Sequence, residues 1–238
     1  MIHPRQSLYA AARYSLLGAA LLFSVSCQTM VGPKQDTYAQ PAYRPNNPSN
    51  VVVKVSLKEQ MVYVMEGKRP LLITATCVGV PNHPTPKGHF TVYNKIKNKR
   101  SGLYGFAVNN STGAARPAEV SWVHSGEHYV GHPMPYWVEF SPGYGFHTEY
   151  VWPEPHSHGC LRIHRNDAAK LFELARNGTP VIISETQPED AVYLKGFKRP
   201  GPEHYLTPEP PPSVYISDSF FDNVPPARFE DSPKTAGL

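Results

Sequence analysis

Three cysteines in 238 residues are too few to staple a fold together. Disulfide-framed scaffolds are short and cysteine-dense, so that class is excluded. Charge is scarce as well: Asp, Glu, Lys and Arg make up 18% of the chain, and no dense basic stripe occurs. The formal charge of +4 falls by two once Arg5 and Arg13 near the N-terminus are set aside. That balance leaves no electrostatic footprint for nucleic acid. Helix signals are few, and no internal repeat is present. Proline (26) and tyrosine (14) are plentiful, which points to a turn-rich, mainly β fold.

The N-terminus has the form of an export signal. Residues 1–13 carry Arg5 and Arg13 and no acid, and YSLLGAALLFSVS (14–26) is an apolar run too short to span a bilayer comfortably. The run ends at Cys27, preceded by Ser24, Val25 and Ser26, which resembles a bacterial lipobox whose cysteine receives lipid. The expectation is a leader over 1–27, lipidation at Cys27, and a protein held at the membrane in the periplasm or cell envelope. Residues 28–50, rich in Pro, Asn, Gln and Tyr, read as a tether.

From Val51 the pattern changes. VVVKVSLKEQ, MVYVME and LLITATCVGV, with a turn at Gly67 and Lys68, read as a three-stranded meander, and HFTVYNKI resumes a strand after the turn cluster PNHPTPKG. Residues 95–135 read as loop-heavy, with GLYGFAV and AEVSWV as short strands; PYWVEF and GYGFHTEY follow as strands. One helix is expected near 166–177: Asn166 or Asp167 caps AAKLFELAR, and Asn177 with Gly178 ends it. TPVIIS closes the domain at 51–184. Residues 185–238, containing PEPPPS, read as an irregular or disordered extension. His124, His128 and His132 repeat every four residues, but Gly126, Gly131 and Pro133 argue against a helix, so a loop over a cleft is expected. Trp122, Tyr136 and Trp137 are assigned to the core.

The densest chemistry is PHSHGCLRIH, residues 155–164. A free thiol is only about 3% ionised at pH 7, so a nucleophilic cysteine needs an imidazole or a positive dipole beside it. In an extended segment His156, His158, Cys160, Arg162 and His164 would share one face. Gly159 lets a substrate backbone approach, and amides at such a turn form an oxyanion hole. The same histidines and cysteine are competent zinc ligands, but alternate strand positions lie roughly 7 Å apart, too far for a shell of bonds about 2 Å long. A zinc protein and a half-buried polar sheet are the alternatives. Cys77, in LLITATCVGV, reads as a small buried hydrophobe, and a bridge from it to Cys160 would consume the reactive thiol.

SHGCLR (157–162) resembles the signature of the L,D-transpeptidase (YkuD-type) catalytic domain, the cysteine enzymes that remodel bacterial peptidoglycan. VVVKVSLKEQMVYVMEGKRP is similar to that family's opening hairpin, TPKGHFTVYN to its Thr-Pro-Lys-Gly turn, and MPYWVEFSPGYGFHTE to the strands carrying an upstream histidine. The resemblance implies a sandwich- or barrel-like β fold, with Cys160 as nucleophile, His147 as general base and His158 as a third catalytic group. It places oxyanion donors at Gly159 and Cys160, and substrate contacts at Arg162, Ser157, Tyr144 and Thr148. It also implies a tetrapeptide stem as donor and, as acceptor, an amine of another stem, a lysine of a wall-anchored lipoprotein, or water. No metal or other cofactor is called for. A noncatalytic lipoprotein that binds stem peptides is the competing class. Two features depart from the family pattern: Thr148 stands where Gly is usual, and the segment between His147 and Cys160 is short.

Overall fold

The computed structural model describes residues 38–206 and 209–231. The expected leader, Cys27 and the expected tether up to residue 37 lie outside them. Among the described residues no helix is long and apolar enough to cross a membrane.

Ten strands make one sheet, in the order β4-β10-β1-β2-β3-β9-β8-β7-β5-β6. The expected meander is β1 (Val51–Ser56), β2 (Met61–Glu66) and β3 (Arg69–Cys77), each antiparallel to the next. Its centre, β2, is covered on both faces, which is why MVYVM is one continuous apolar run instead of an alternating one. Met61, Tyr63 and Met65 pack with Cys77 and Val151 on one side, while Val62 and Val64 join the main core on the other. β10 (Pro180–Ser184) lies parallel to β1, and β4 (Gly88–Thr91) forms that edge of the sheet.

On the other side of β3 come β9 (Leu161–Ile163), β8 (Tyr144–Thr148), β7 (Glu127–Ser141), β5 (Asn94–Asn109) and β6 (Ala115–Glu119). The sheet curls until its halves meet. The Tyr93 amide donates to the Glu139 carbonyl (3.1 Å), and the rings of Phe90 and Phe140 are 5.3 Å apart. Helix α1 (Arg165–Leu174) fills the concavity, burying Ala168, Ala169, Leu171 and Leu174 against Val53, Leu72 and Val138.

The helix is shorter than expected and differently capped. His164 accepts from the Asn166 amide (3.4 Å), while Asn166 donates its side chain to the Tyr38 carbonyl (2.7 Å). Asp167 is fully buried, accepting from Thr74 (2.9 Å), the Gln40 amide (2.9 Å) and Lys170 (2.9 Å). Both expected caps are thus drawn off by distant partners.

The segment read as loop-heavy is instead the long β5–β7 ribbon. Much of β5 is half-exposed and polar, so it lacks the alternation that marks a strand; its pairing with β7 starts from Asn94 opposite Glu139. Gly105 and Gly131 permit the close crossing there, since a Cβ on Gly131 would lie 2.0 Å from the Ser101 carbonyl oxygen. His128 and His132 therefore stand on β7, not on a loop. Trp137 and Tyr136 are buried as expected, but Trp122 is 57% exposed.

The proline-rich C-terminal residues also differ from expectation. Those described are irregular apart from α2 (Asp190–Tyr193), α3 (Pro212–Ile216) and 3-10 stretches at Pro202–His204 and Asp218–Asn223, yet they pack on the domain. Prolines leave carbonyls without matching N–H donors, and side chains of the body meet them. Arg100 donates to the carbonyls of Tyr215 (2.9 Å) and Ser217 (3.1 Å), and Tyr136 to that of Pro225 (3.0 Å). At the other terminus Ala42 is buried and its carbonyl accepts from the Glu230 amide (2.8 Å), so the end of the expected tether is also pinned down.

Candidate active site

β8 and β9 run parallel, with His147 opposite Arg162 and Phe146 opposite Leu161. Directly paired residues of parallel strands point to one face, and so do alternate residues of one strand. His147, Arg162 and Cys160, which immediately precedes β9, are therefore brought to the same side. All three line a cleft of about 920 Å³. Phe146 and Leu161, on the opposite side of the pleat, are fully buried and fix the two strands to the core.

The turn before Cys160 is built by Ser157. Its hydroxyl donates to the Cys160 carbonyl (2.6 Å) and accepts from the Gly159 amide (3.1 Å), with the side chain buried. Thr85 donates to the Gly159 carbonyl (2.9 Å). Gly159 sits at φ +106°, and a Cβ there would meet the Tyr144 ring at 2.6 Å. Only glycine fits this corner.

His147 is 6% exposed, and its Nδ1 faces the Thr148 carbonyl at 3.0 Å. A carbonyl only accepts, so Nδ1 carries the proton and Nε2 keeps the basic lone pair. Burial pulls the imidazole from 6.5 down to about 4; the nearby Glu149 carboxylate opposes this and Arg162 adds to it. Burial raises the Cys160 thiol, against a backbone hydrogen bond at Gly145 and the charge of Arg162. At neutral pH the resting pair is thiol and neutral imidazole. Sγ lies 3.6 Å from the Gly143 carbonyl, and among the described residues no hydrogen bond joins it to His147.

A family model described as the L,D-transpeptidase catalytic domain matches residues 50–183. The chain belongs to that family. Solved structures similar to it include an L,D-transpeptidase from Stackebrandtia nassauensis, 22% identical, covering 62% of this chain and 60% of that one, TM-score 0.42. Another from Mycobacterium smegmatis is 18% identical, covering 57% of this chain and 58% of that one, TM-score 0.43. The catalytic domain of an Enterococcus faecium L,D-transpeptidase is 26% identical, covering 57% of this chain and 98% of that one, TM-score 0.41. The chain thus spans about three fifths of the first two proteins. No curated protein matches it.

Within this L,D-transpeptidase domain the expected site residues divide. Cys160, His147, Arg162, His158 and Tyr144 line the cleft. Arg162 is half-buried, and among the described residues its guanidinium makes no hydrogen bond or ion pair. His158 stacks on Tyr104 (4.7 Å) with His83 at 5.0 Å, and forms an exposed wall. Of the residues expected to share one face, His156, His158, Cys160 and Arg162 line the cleft and His164 does not, although the positive φ of Gly159 interrupts the pleat. His156 stacks on Trp152 (4.5 Å), while His164 is buried at the cap of α1. Among the described residues no three His, Cys, Asp or Glu side chains converge as metal ligands. Cys77 and Cys160 are both free.

Three expectations need correction. Ser157 lines the cleft, but its hydroxyl gives its proton and one lone pair to the turn, so it can accept from substrate and not donate to it. Thr148 points away from the cleft, as a strand neighbour of His147 must; its Oγ1 is buried without a hydrogen-bond partner among the described residues, and its carbonyl is the group that serves the site. The Gly159 amide is committed to Ser157 and is not free to hold an oxyanion. Other cleft residues gave no sequence signal as site residues: Tyr104 and Trp152, and, from the C-terminal segment, Pro212 and Tyr215. Glu149 is different, since it alternates with His147 along a strand and was legible by that spacing.

Proposed function

We propose that the protein is an exported cysteine L,D-transpeptidase that acts on peptidoglycan stem tetrapeptides. The observation carrying this is the meeting of Cys160, His147 and Arg162 on one face of a parallel strand pair, with the imidazole tautomer set by the Thr148 carbonyl.

Rotation about the Cα–Cβ bond of Cys160 swings Sγ from the Gly143 carbonyl toward Nε2 of His147, a contact that tightens when substrate fills the cleft. His147 takes the thiol proton as sulfur attacks the carbonyl between meso-diaminopimelate and D-Ala. The Cys160 amide and the Arg162 charge face the negative charge that develops. The C–N bond breaks, D-Ala leaves with the proton from His147, and a thioester remains on Cys160. An amine, from a second stem or a lipoprotein lysine, then gives its proton to His147 and takes the acyl group as the C–S bond breaks, and the departing sulfur recovers a proton from His147; water in place of the amine makes the protein a carboxypeptidase. The resting thiol is neutral, so the proton moves only as the bond forms. Lipid on Cys27 would hold this domain at the membrane facing its wall substrate.

Incubation of the full chain with disaccharide-tetrapeptide under reducing conditions tests the proposal by mass spectrometry. Loss of D-Ala with dimer formation is expected, and neither in Cys160→Ala. Substrate bound but unchanged by the wild type would make the protein a noncatalytic binder instead.

A further inference from the structure

Glu149 is a largely buried acid, its side chain 17% exposed, beside the reacting groups that the scheme above leaves idle. Its amide donates to the Ile163 carbonyl (3.1 Å), closing the last pair of the β8–β9 ladder, so the backbone stays extended just past the end of β8. Glu149 therefore projects to the same face as His147, with alternate Cα atoms roughly 7 Å apart. Both line the cleft.

The carboxylate is fixed at both oxygens. One accepts from the Tyr150 amide (3.0 Å), and the other meets Nε2 of His132 at 2.8 Å. Burial raises Glu149, but the hydrogen bond from His132 and the charge of Arg162 outweigh it and hold the carboxyl down at about 2. It is ionised at any working pH, and an ionised carboxylate only accepts, so Nε2 of His132 carries a proton. The His132 ring packs against Tyr215 (5.0 Å) and Phe106 (6.1 Å), which prevents it from swinging away. Tyr215 comes from α3, outside the matched family domain.

A buried carboxylate is costly and is kept where its charge does something a neutral group cannot. The β7–β8 ladder already joins these strands, so the pair is not needed as a tie. The groups facing His147 are Glu149 at the end of β8, Arg162 on β9, His132 and Trp137 on β7, and the Cys160 thiol. Of these, Glu149 alone presents a fixed negative charge.

We propose that Glu149, clamped by His132, is the acidic partner of His147: its carboxylate stabilises the buried imidazolium that forms when His147 takes the Cys160 proton. Glu149 is a positioning residue, acting through His147. The proton travels from Sγ to Nε2 of His147 and on to the departing amine. Glu149 stays ionised and His132 keeps its proton throughout, so none passes to the carboxylate. The inference rests on His147 as the base for Cys160, but not on the identity of the acyl donor.

The test is titration of His147 by NMR in the full chain with 15N-labelled imidazoles, for wild type, Glu149→Gln and Glu149→Asp. Alkylation of Cys160 by iodoacetamide across pH is measured alongside. In Glu149→Gln the His147 midpoint should fall by a unit or more, and D-Ala release should slow about tenfold or more, mainly in kcat. Glu149→Asp keeps the charge but retracts it by one methylene, so a smaller, measurable fall is expected, with partial recovery of turnover. A folded Glu149→Gln whose His147 titrates as in wild type overturns the proposal. Should Glu149→Gln not fold, an unchanged midpoint in Glu149→Asp overturns it alone. A chain that shows the midpoint shift yet releases no D-Ala sinks the peptidoglycan assignment and leaves this one standing.

Discussion

At residue 159 the backbone adopts φ +106° and a Cβ would meet the Tyr144 ring at 2.6 Å, so a single methyl group tests how Cys160 is held. Gly159→Ala should lose roughly 1–3 kcal/mol from backbone strain alone, and the shift of Tyr144 should also displace Cys160 in the cleft. Differential scanning calorimetry and turnover measured together are expected to fall together. Ser157→Ala acts on the same turn by another route: it leaves the Cys160 carbonyl and the Gly159 amide unpaired, which costs about 1–3 kcal/mol. Its binding of stem peptide should hold while turnover drops, the opposite of what loss of a substrate contact would give. His147→Gln removes the proposed base and should slow acylation by about 10² to 10⁴; a smaller loss would move that role to His156 or His158.

Two helices brace the strands that carry the cleft. Helix α1 is bound through Asp167, whose carboxylate gathers Thr74 from β3, the Gln40 amide and Lys170. Asp167→Ala would leave the Lys170 ammonium, 5% exposed, without its charge partner. Breaking a buried pair from one side costs about 3–5 kcal/mol, readable as a lower midpoint in urea. The second element is α3. Tyr215 stacks on Phe106 (5.8 Å) and covers His132, while Pro212 and Tyr215 wall the cleft. Tyr215→Ala opens this wall, so the KM for a stem peptide should change more than the global melting temperature.

For the whole molecule the buried titrating groups set the acid limit. His147 is lowered from 6.5 to about 4 and Glu149 from 4.5 to about 2. In both windows the unfolded chain binds more protons than the folded one, so stability falls as pH falls. The His147 share is present above about 6.5 and lost toward 4; the Glu149 share is present above about 4.5 and lost toward 2. Each corresponds to roughly 3 kcal/mol. A melting temperature that drops from pH 7 to pH 4, and drops less in His147→Gln, is the expected result.

The strands β1, β2 and β3 were legible because their apolar residues are local and consecutive, and Cys160 because a thiol among histidines is rare by chance. The β5–β7 ribbon was not legible: its strands are half-exposed, and what makes them strands is pairing between residues some 45 apart, such as Asn94 with Glu139. The docking of the proline-rich segment was hidden for the same reason, since Arg100 and Tyr136 supply donors from far along the chain. Chemical identity is carried by the sequence alone: which side chains can attack, accept a proton or hold charge, and on which side of a pleat neighbours fall. Tertiary structure decided which of them meet, because burial, charge and a turn such as that at Gly159 depend on what packs alongside. It spent Ser157 on the turn, clamped Glu149 with His132, and laid Tyr215 of the C-terminal segment over that clamp.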